Sequence, residues 1–399
     1  KNLASPWIPA TRSAASPRTH ALARNFCASL TPDDRRNRAE KRFLGYFRIL
    51  LSGLRLYLLE WPVPINPVTW QEPTDLGLID PFESNRLLEA ATAIDLGKHE
   101  GPEDATLGRD NLVYVTTEEG RVVRIRNRQV EAFADTGGRP LGIEVDADGS
   151  LVVANAYLGL QRVDGQGNVT NILSSVDGTT PVYPNNLAIA RDGKIYFTEA
   201  SSKYGADKYR GSYNASLLDI MEHGGHGGVF VFDPATGTAR QLLDDLNYAN
   251  GIAISEDNSF LVIAETSNYR ILKHWLTGPH QGETEVLLDN LPGFPDNLKT
   301  GKSGRFWVGF AAPRNDLIDK VSDKPWLRKV IQRLPSAIRP QAIPSSHVVA
   351  FNGDGEILMN MHEPGARFPM LTGVLETQRS LYLTTLFGHQ LPVIAKSDL

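Results

Sequence analysis

Short apolar runs separated by polar turns recur along the chain from residue 86 to residue 399. Several runs open with a corner in which an acidic or amide side chain follows a proline or another small residue. These corners lie at residues 101–105, 183–187, 248–252 and 293–298. Each is followed by a polar turn and then by a run rich in β-forming residues. A unit that recurs in this way predicts a repeat architecture, in which equivalent corners meet on one axis.

The spacing of the corners predicts the number of repeats. Related corners begin at Pro102, Pro140, Pro184, Ala249, Pro295 and Pro369. The shorter intervals match one four-stranded propeller blade, whereas the two longer intervals require insertions, expected at residues 201–226 and 312–345. Both insertions would lie on the rim that carries the corners and would wall a pocket there. The pattern therefore predicts an all-β fold, a six-bladed β-propeller over residues 86–399, with a strand at residues 86–96 completing the last blade.

The amino-terminal part of the chain has a different character and divides into three segments. Residues 1–40 show no apolar periodicity and are expected to be a disordered or targeting segment. Residues 41–61 predict an amphipathic or signal-anchor helix, with Arg48 and Arg55 on one face and apolar residues over the rest. Residues 62–85 contain repeated prolines, which predict an extended strap.

The predicted helix favours association with a membrane. Each arginine within it would cost roughly 2.5 to 3.5 kcal/mol at the centre of a bilayer, and a full crossing needs about 20 apolar residues. A helix in the membrane plane therefore fits residues 41–61 better than a clean crossing. A signal anchor and a helix packed on the body of the protein are the alternatives. We expect a membrane-associated protein whose propeller lies on the exported side, in the periplasm, a lumen or the extracellular space.

Charge and motif content argue against two classes of function. The net charge is −5 and no basic stripe dominates, which argues against a nucleic-acid-binding protein. The chain has no Gly-x-Ser-x-Gly elbow, so a serine hydrolase is not favoured. Cys27 is the one cysteine, so an intrachain disulfide is impossible; this fits both a reducing compartment and an exported protein that needs no bridges.

Five groups of residues together carry a resemblance to a known family. They are residues 101–104, 185–187 with 195–204, 249–252, 295–297 and 381–387. Through these segments the chain resembles the six-bladed propellers of the strictosidine synthase-like family, whose relatives include adipocyte plasma membrane-associated proteins, gluconolactonases and paraoxonases. The prolines after Trp61 also resemble the membrane-proximal segment of that group. The resemblance implies a calcium-dependent hydrolase of esters or lactones, of arylesterase or lactonase type.

The resemblance implies a calcium ion on the propeller axis. Its expected ligands are Glu103, Asn185, Asn250, Asp296 and Asn297. Two carboxylates and three amide carbonyls are hard oxygen donors, which Ca²⁺ prefers. Taken singly, each such residue would more often cap a turn at a strand entry. Asp104 and Asn186 match a second, structural ion site of paraoxonases, but the amide at position 186 removes a charge, so we do not expect that ion.

A hydrolase of this type also needs a base and a substrate pocket. Asp296 and Glu103 are the expected catalytic residues, each also a metal ligand. Four further residues are expected to contact the substrate: His223, His226, Lys203 and Arg139. The alternative function is a propeller that binds a ligand or partner without chemistry and uses calcium only as a structural ion.

The resemblance does not extend to the Pictet–Spengler condensation of strictosidine synthase. The catalytic glutamate of that enzyme stands just before the final Leu-Tyr strand, and the matching residues 368–373 contain no acid. Thr372 stands about where the glutamate would be. We therefore do not expect strictosidine synthase activity from this chain.

Overall fold

The computed structural model describes residues 32–176 and 178–399. The chain forms two compact units, one ending at Trp61 and the other comprising Pro62–Leu399. In the first unit the described residues form helix α1 (Pro32–Glu60). The helix begins earlier than residue 41, so part of the segment predicted to be disordered is helical. Arg, Ala and Glu residues favour a helix there, and proline is tolerated in a first turn.

The remainder of the predicted targeting segment, residues 1–31, lies outside the described residues. Within α1, large apolar side chains such as Phe43, Ile49 and Leu50 are exposed. Among residues 32–176 and 178–399, no helix combines the length and hydropathy needed to cross a membrane.

The described residues of the second unit form twenty-four strands and three further α-helices. The strands are β1 (Thr92–Asp95), β2 (Ala105–Leu107), β3 (Val113–Thr116), β4 (Arg121–Arg126), β5 (Gln129–Asp135), β6 (Pro140–Val145), β7 (Leu151–Asn155), β8 (Gly159–Val163), β9 (Val169–Leu173), β10 (Pro184–Ile189), β11 (Ile195–Glu199), β12 (Gly227–Asp233), β13 (Thr238–Leu246), β14 (Ala249–Ile254), β15 (Phe260–Glu265), β16 (Arg270–Trp275), β17 (Thr284–Leu288), β18 (Gly293–Thr300), β19 (Arg305–Pro313), β20 (Ser346–Asn352), β21 (Ile357–Glu363), β22 (Leu371–Glu376), β23 (Ser380–Thr385) and β24 (Gln390–Ala395). The helices are α2 (Ser212–Glu222), α3 (Asp316–Lys320) and α4 (Pro325–Arg333).

These strands form six four-stranded antiparallel sheets, which confirms the predicted six-bladed propeller. Blades 1 to 5 each use four consecutive strands, from β2–β5 to β18–β21. Blade 6 consists of β22, β23 and β24 and is completed by β1. Thr92 pairs with Val393 and Asp95 with Gln390, so the predicted ring closure is confirmed. The closing strand is shorter than residues 86–96, because Leu87–Ala90 form a 3-10 turn.

Close contact between the inner strands brings the axial corners together. A Cβ atom at Gly251 would lie 2.3 Å from the amide nitrogen of Leu298 and 2.4 Å from the carbonyl oxygen of Asp296. Only glycine leaves room for two backbones at this distance. Gly251 follows Asn250 directly, so this contact holds the corner of blade 4 against the corner of blade 5.

The two predicted insertions are present between the second and third strands of their blades. One connects β11 to β12 and contains α2, and the other connects β19 to β20 and contains α3 and α4. The strap after residue 62 is extended and lies against both insertions. The amide of Val68 donates to the carbonyl oxygen of Glu222 at 2.9 Å, and the amide of Trp70 donates to that of Ser322 at 3.3 Å.

Candidate metal and substrate site

A cavity of about 520 Å³ opens at the rim of the propeller that carries the corners. Its floor includes four predicted ligands, Glu103, Asn185, Asn250 and Asp296, each from the start of a different blade. Its walls include apolar side chains from the inner strands and from both insertions, among them Leu141, Ile220, Phe294, Ile318, Ile331 and Met370. The expectation that the insertions wall a pocket is therefore confirmed.

Two amide oxygens at the floor have no hydrogen-bond donor. The Oδ1 atoms of Asn185 and Asn250 are buried, and no partner for either occurs among the described residues. The Asn250 side chain is hydrogen-bonded to the Asp296 carboxylate, which leaves its Oδ1 as a free acceptor. Because buried oxygens almost always have a partner, two unsatisfied acceptors beside two carboxylates fit a hard cation such as Ca²⁺.

Burial changes the acidity of the two carboxylates. It raises the pKa of Glu103 to about 7, although the positive charge of Arg139 opposes the change. It also raises the pKa of Asp296 well above its usual range, and the negative charge of Glu103 adds to this effect. Two acids buried together are difficult to ionise at once. A cation between them would favour the charged form of both.

No group of three or more His, Cys, Asp or Glu side chains that could hold a metal occurs within residues 32–176 and 178–399. The cavity floor has two carboxylates, Glu103 and Asp296, and its other two oxygen-bearing side chains, Asn185 and Asn250, are amides. Carboxylate and amide oxygens are donors of the kind that Ca²⁺ prefers, whereas zinc sites are built mainly from Cys and His.

Arg139 contacts a predicted ligand and not the cavity. Its Nη2 atom donates to Glu103 Oε2 at 2.9 Å, and both side chains are buried. Its Nε atom lies 3.4 Å from Ser212 Oγ at the start of α2. The Nη1 atom is buried and has no partner among the described residues. The structure thus assigns Arg139 to holding Glu103 in place of the expected contact with substrate.

The other three predicted substrate residues also lie away from the cavity lining. Lys203 Nζ and His226 Nε2 contact the Glu222 carboxylate at 2.6 and 2.7 Å. The ring of His223 stacks on Trp70 of the strap at 4.1 Å between centroids. Their prediction as pocket residues is corrected, because Lys203 and His226 contact Glu222 at the end of α2 and His223 packs on the strap.

Asn297 also differs from the expectation. Its Oδ1 accepts a hydrogen bond from Asn186 Nδ2 at 3.0 Å, and its Nδ2 donates to the carbonyl oxygen of Glu103 at 2.9 Å. Asn297 is absent from the residues that line the cavity. Successive side chains of a strand point to opposite sides, so Asp296 faces the cavity while Asn297 joins the layer beneath it. Its prediction as a metal ligand is corrected.

A lysine occupies the centre of this lower layer. Lys299 Nζ lies 3.0 Å from Asp104 Oδ2, 2.7 Å from Glu144 Oε1 and 2.6 Å from the carbonyl oxygen of Ile143. Its ammonium group therefore contacts Asp104, one of the two residues that match the second ion site, where we did not expect an ion. We did not identify Lys299 from the sequence. The available signal was a second charged residue, three positions after Asp296, in the inner strand β18.

Two tyrosines of the cavity wall were also missed. The hydroxyl oxygens of Tyr183 and Tyr248 are 2.7 Å apart, and Tyr183 donates to the carbonyl oxygen of Ser212 at 2.8 Å. Each tyrosine stands two residues before a candidate ligand, so the repeat itself was a usable signal. Thr372 is buried, and its hydroxyl donates to the carbonyl oxygen of Glu103 at 2.7 Å. It therefore supports the floor and provides no acid.

Comparisons with known proteins agree with this architecture. The family models described as strictosidine synthase-like, N-terminal, and strictosidine synthase match residues 80–125 and 185–279. The adipocyte plasma membrane-associated protein of Bos taurus is 33% identical over 80% of this chain and 81% of its own length.

Solved structures share the propeller fold at low sequence identity. A gluconolactonase from Xanthomonas campestris has a TM-score of 0.57 at 18% identity, covering 84% of this chain and 98% of its own. Regucalcin from Agrobacterium tumefaciens, described as a calcium-binding protein, has a TM-score of 0.52 at 12% identity, with 77% and 96% covered. These likenesses establish the fold.

Proposed function

The chain belongs to the strictosidine synthase-like family together with the adipocyte plasma membrane-associated proteins, and from this premise we propose that it is a calcium-dependent hydrolase of esters or lactones. The observation that carries the proposal is the cavity floor. Four oxygen-bearing side chains from four blades converge there, and two of their oxygens lack any donor among the described residues. The gluconolactonase fold relative supports the same class of substrate.

Glu103, Asn185, Asn250 and Asp296 would hold the ion. Bound Ca²⁺ supplies a Lewis acid that polarises an ester or lactone carbonyl. Asp296 is the group we propose to take a proton from the attacking water, because its carboxylate lines the cavity floor where the ion would be held. Arg139 is ion-paired with Glu103 and would compete with the ion for this carboxylate.

The cavity walls would select and orient the substrate. Apolar side chains surround most of the cavity, so the part of the substrate outside the reacting group would be apolar. The hydroxyl groups of Tyr183 and Tyr248 are committed to each other and to Ser212. These rings therefore act as a rigid wall that excludes water from the floor.

The test is hydrolysis of phenyl acetate and of a γ- or δ-lactone by the full chain, with calcium or with a chelator. Asp296→Asn retains the shape of the side chain and removes its charge, and Asp354→Asn on an exposed hairpin is the matched control. Calcium binding is measured by calorimetry alongside turnover. We expect calcium-dependent turnover that Asp296→Asn abolishes and Asp354→Asn leaves unchanged.

Two other results would be informative. Tight calcium binding with a chelator-sensitive melting temperature and no turnover would reject the hydrolase for these substrates. It would favour the alternative, a ligand- or partner-binding propeller with a structural calcium. Turnover that persists in chelator and in Asp296→Asn would reject the metal site as the reaction centre.

We also propose that α1 binds in the plane of a membrane and that the propeller lies on the exported side. The bovine relative is named as plasma membrane-associated. The apolar part of α1 follows several cations, Arg36, Arg38, Lys41 and Arg42, and such charges would bind anionic headgroups beside a helix in the membrane plane. Protease protection of the propeller in sealed microsomes tests this orientation, because a cytoplasmic propeller would be digested.

A further inference from the structure

The cavity lining contains one cationic side chain, and it belongs to the second insertion. Arg339 is the one Lys, Arg or His among the described residues that line the cavity. It is half-buried. Within residues 32–176 and 178–399 no carboxylate pairs with it, because the ion pair at the floor is made by Arg139. A partly desolvated cation without a counter-ion fits an anionic group of a ligand.

Local hydrogen bonds fix the position of Arg339. Its Nε atom donates to the carbonyl oxygen of Leu334, directly after α4, at 2.8 Å. The side-chain amide of Gln341 donates to the carbonyl oxygen of Ser336 at 3.1 Å, which closes the turn that carries Arg339. Both Nη atoms lack a partner in the part of the chain that the structure describes. They can therefore donate two parallel hydrogen bonds to a carboxylate, the arrangement in which arginine binds this group most strongly.

Arg339 lies at the open end of the cavity, whereas the acids lie at its buried end. Ser336 and Ile343, on either side of Arg339 in sequence, line the cavity and are exposed. Glu103 and Asp296 at the floor are only 3% and 5% exposed. The remaining walls are mainly apolar. A ligand that fills the cavity therefore meets oxygen atoms at one end, a cation at the other and apolar side chains along its length.

We propose that Arg339 binds a carboxylate at the end of the substrate remote from the reacting carbonyl. The substrate class is then an ester or lactone with an apolar body and a terminal carboxylate. A neutral ester of equal length would fit the walls but leave Arg339 without a counter-ion, so the site selects substrates by charge. The reacting end rests on the proposed hydrolase function. The anion site does not, because no hydrogen bond or ion pair among the described residues joins Arg339 to the floor.

The first measurement is the turnover of matched pairs of esters by the full chain with calcium. Monophenyl suberate and monophenyl dodecanedioate carry a terminal carboxylate at two chain lengths, and phenyl octanoate and phenyl dodecanoate are their neutral counterparts. Arg339→Gln removes the cation from the lining. Lys329→Gln is the matched control, because it removes one charge from the same insertion at a half-buried residue of α4 that does not line the cavity.

We expect Arg339→Gln to raise KM for the better of the two anionic esters about 10- to 100-fold. Its kcat for this ester and both constants for the neutral esters should stay near those of the wild type, because Arg339 contacts the carboxylate and not the reacting group. Arg339→Lys keeps the charge without the fork, so it should recover only part of the loss and shows that the turn tolerates substitution. Lys329→Gln should behave as the wild type.

The second measurement separates the anion site from the reaction. Binding of octanoate and dodecanoate is measured by calorimetry in chelator, where the carboxylate has no calcium to bind. Arg339→Gln should weaken this binding about 10- to 100-fold and Lys329→Gln should not. This result without turnover of any ester would reject the hydrolase and retain the anion site.

Other outcomes would overturn the anion site. Equal turnover of anionic and neutral esters, with fatty-acid binding that is absent or unaffected by Arg339→Gln, would reject it and leave the hydrolase standing. Equal losses in Arg339→Gln and Lys329→Gln would also reject it, because a general effect of charge would then explain the preference.

Discussion

Lys299→Met tests whether an internal ammonium group holds the propeller axis together. Lys299 is buried and contacts oxygens of Asp104, Glu144 and Ile143 at 2.6 to 3.0 Å. Methionine is unbranched and of similar length, so it removes the charge and the hydrogen bonds while filling most of the volume. Blades 1, 2 and 5 would lose their common ionic contact.

The expected cost follows from the burial of the partners. Removing one partner of a buried ion pair leaves an uncompensated charge and typically costs about 3 to 5 kcal/mol. Asp104 is buried and would carry most of this penalty, although amide donors from Ala105 and Ile143 remain. Glu144 is partly exposed, so water would partly solvate its carboxylate after the lysine is removed. We therefore expect Lys299→Met to lower the free energy of unfolding by about 3 to 5 kcal/mol.

The assay is urea unfolding followed by circular dichroism, arranged as a double-mutant cycle. Asp104→Asn removes the opposing charge, and Lys299→Met with Asp104→Asn removes both. The double variant should be less destabilised than the sum of the single variants, with a coupling of about 1 to 3 kcal/mol. Strictly additive losses, or a loss below about 1 kcal/mol for Lys299→Met, would refute the assignment of Lys299 as the axial cation.

Three further predictions concern the rest of the molecule. Arg139→Gln removes the cation that competes for Glu103, so the calcium affinity measured by calorimetry should rise about tenfold or more. Burial lowers the pKa of His223 to about 3 and that of His347 to about 4. Each histidine therefore stabilises the fold fully above its unfolded pKa of 6.5, and this contribution falls by about 2 kcal/mol at pH 5, as urea unfolding at both pH values would show. Arg328 donates to the carbonyl oxygens of residues 68, 221, 222 and 322, so Arg328→Lys, which lacks the guanidinium fork, should destabilise the protein by about 2 kcal/mol in the same assay.

Each of these predictions has a matched control. Unchanged or weaker calcium binding in Arg139→Gln would contradict the competition with Glu103. His347→Gln cannot take up a proton, so its stability difference from wild type should shrink by about 2 kcal/mol at pH 5, and a constant difference would contradict the histidine argument. Lys329→Gln changes a more exposed neighbour on α4. An effect equal to that of Arg328→Lys would show that a polar substitution on α4 destabilises the protein without loss of the guanidinium fork, and would contradict the argument.

The local pattern of this chain was sufficient for the number and order of the blades. Apolar alternation, turn residues and the recurring corners predicted six blades, the two insertions and a closing strand at residues 86–96, of which Thr92–Asp95 form the strand. These features depend on residues close in sequence, because strand period and turn chemistry act over a few positions. Glu103, Asn185, Asn250 and Asp296 were predicted together for the same reason, as equivalent positions of one repeat.

Only the tertiary structure decided which polar residues face the cavity and which hold the axis. Asn297 was expected beside Asp296, yet it lies in the layer below and bonds to Asn186, 111 residues away in sequence. Lys299 donates a hydrogen bond to Glu144, which is 155 residues away in sequence, and Arg139 donates one to Glu103, which is 36 residues away. Such pairings depend on how blades pack and on which charges need compensation once buried. No local pattern encodes them, because the energetic requirement for a partner arises only when folding removes water from both groups.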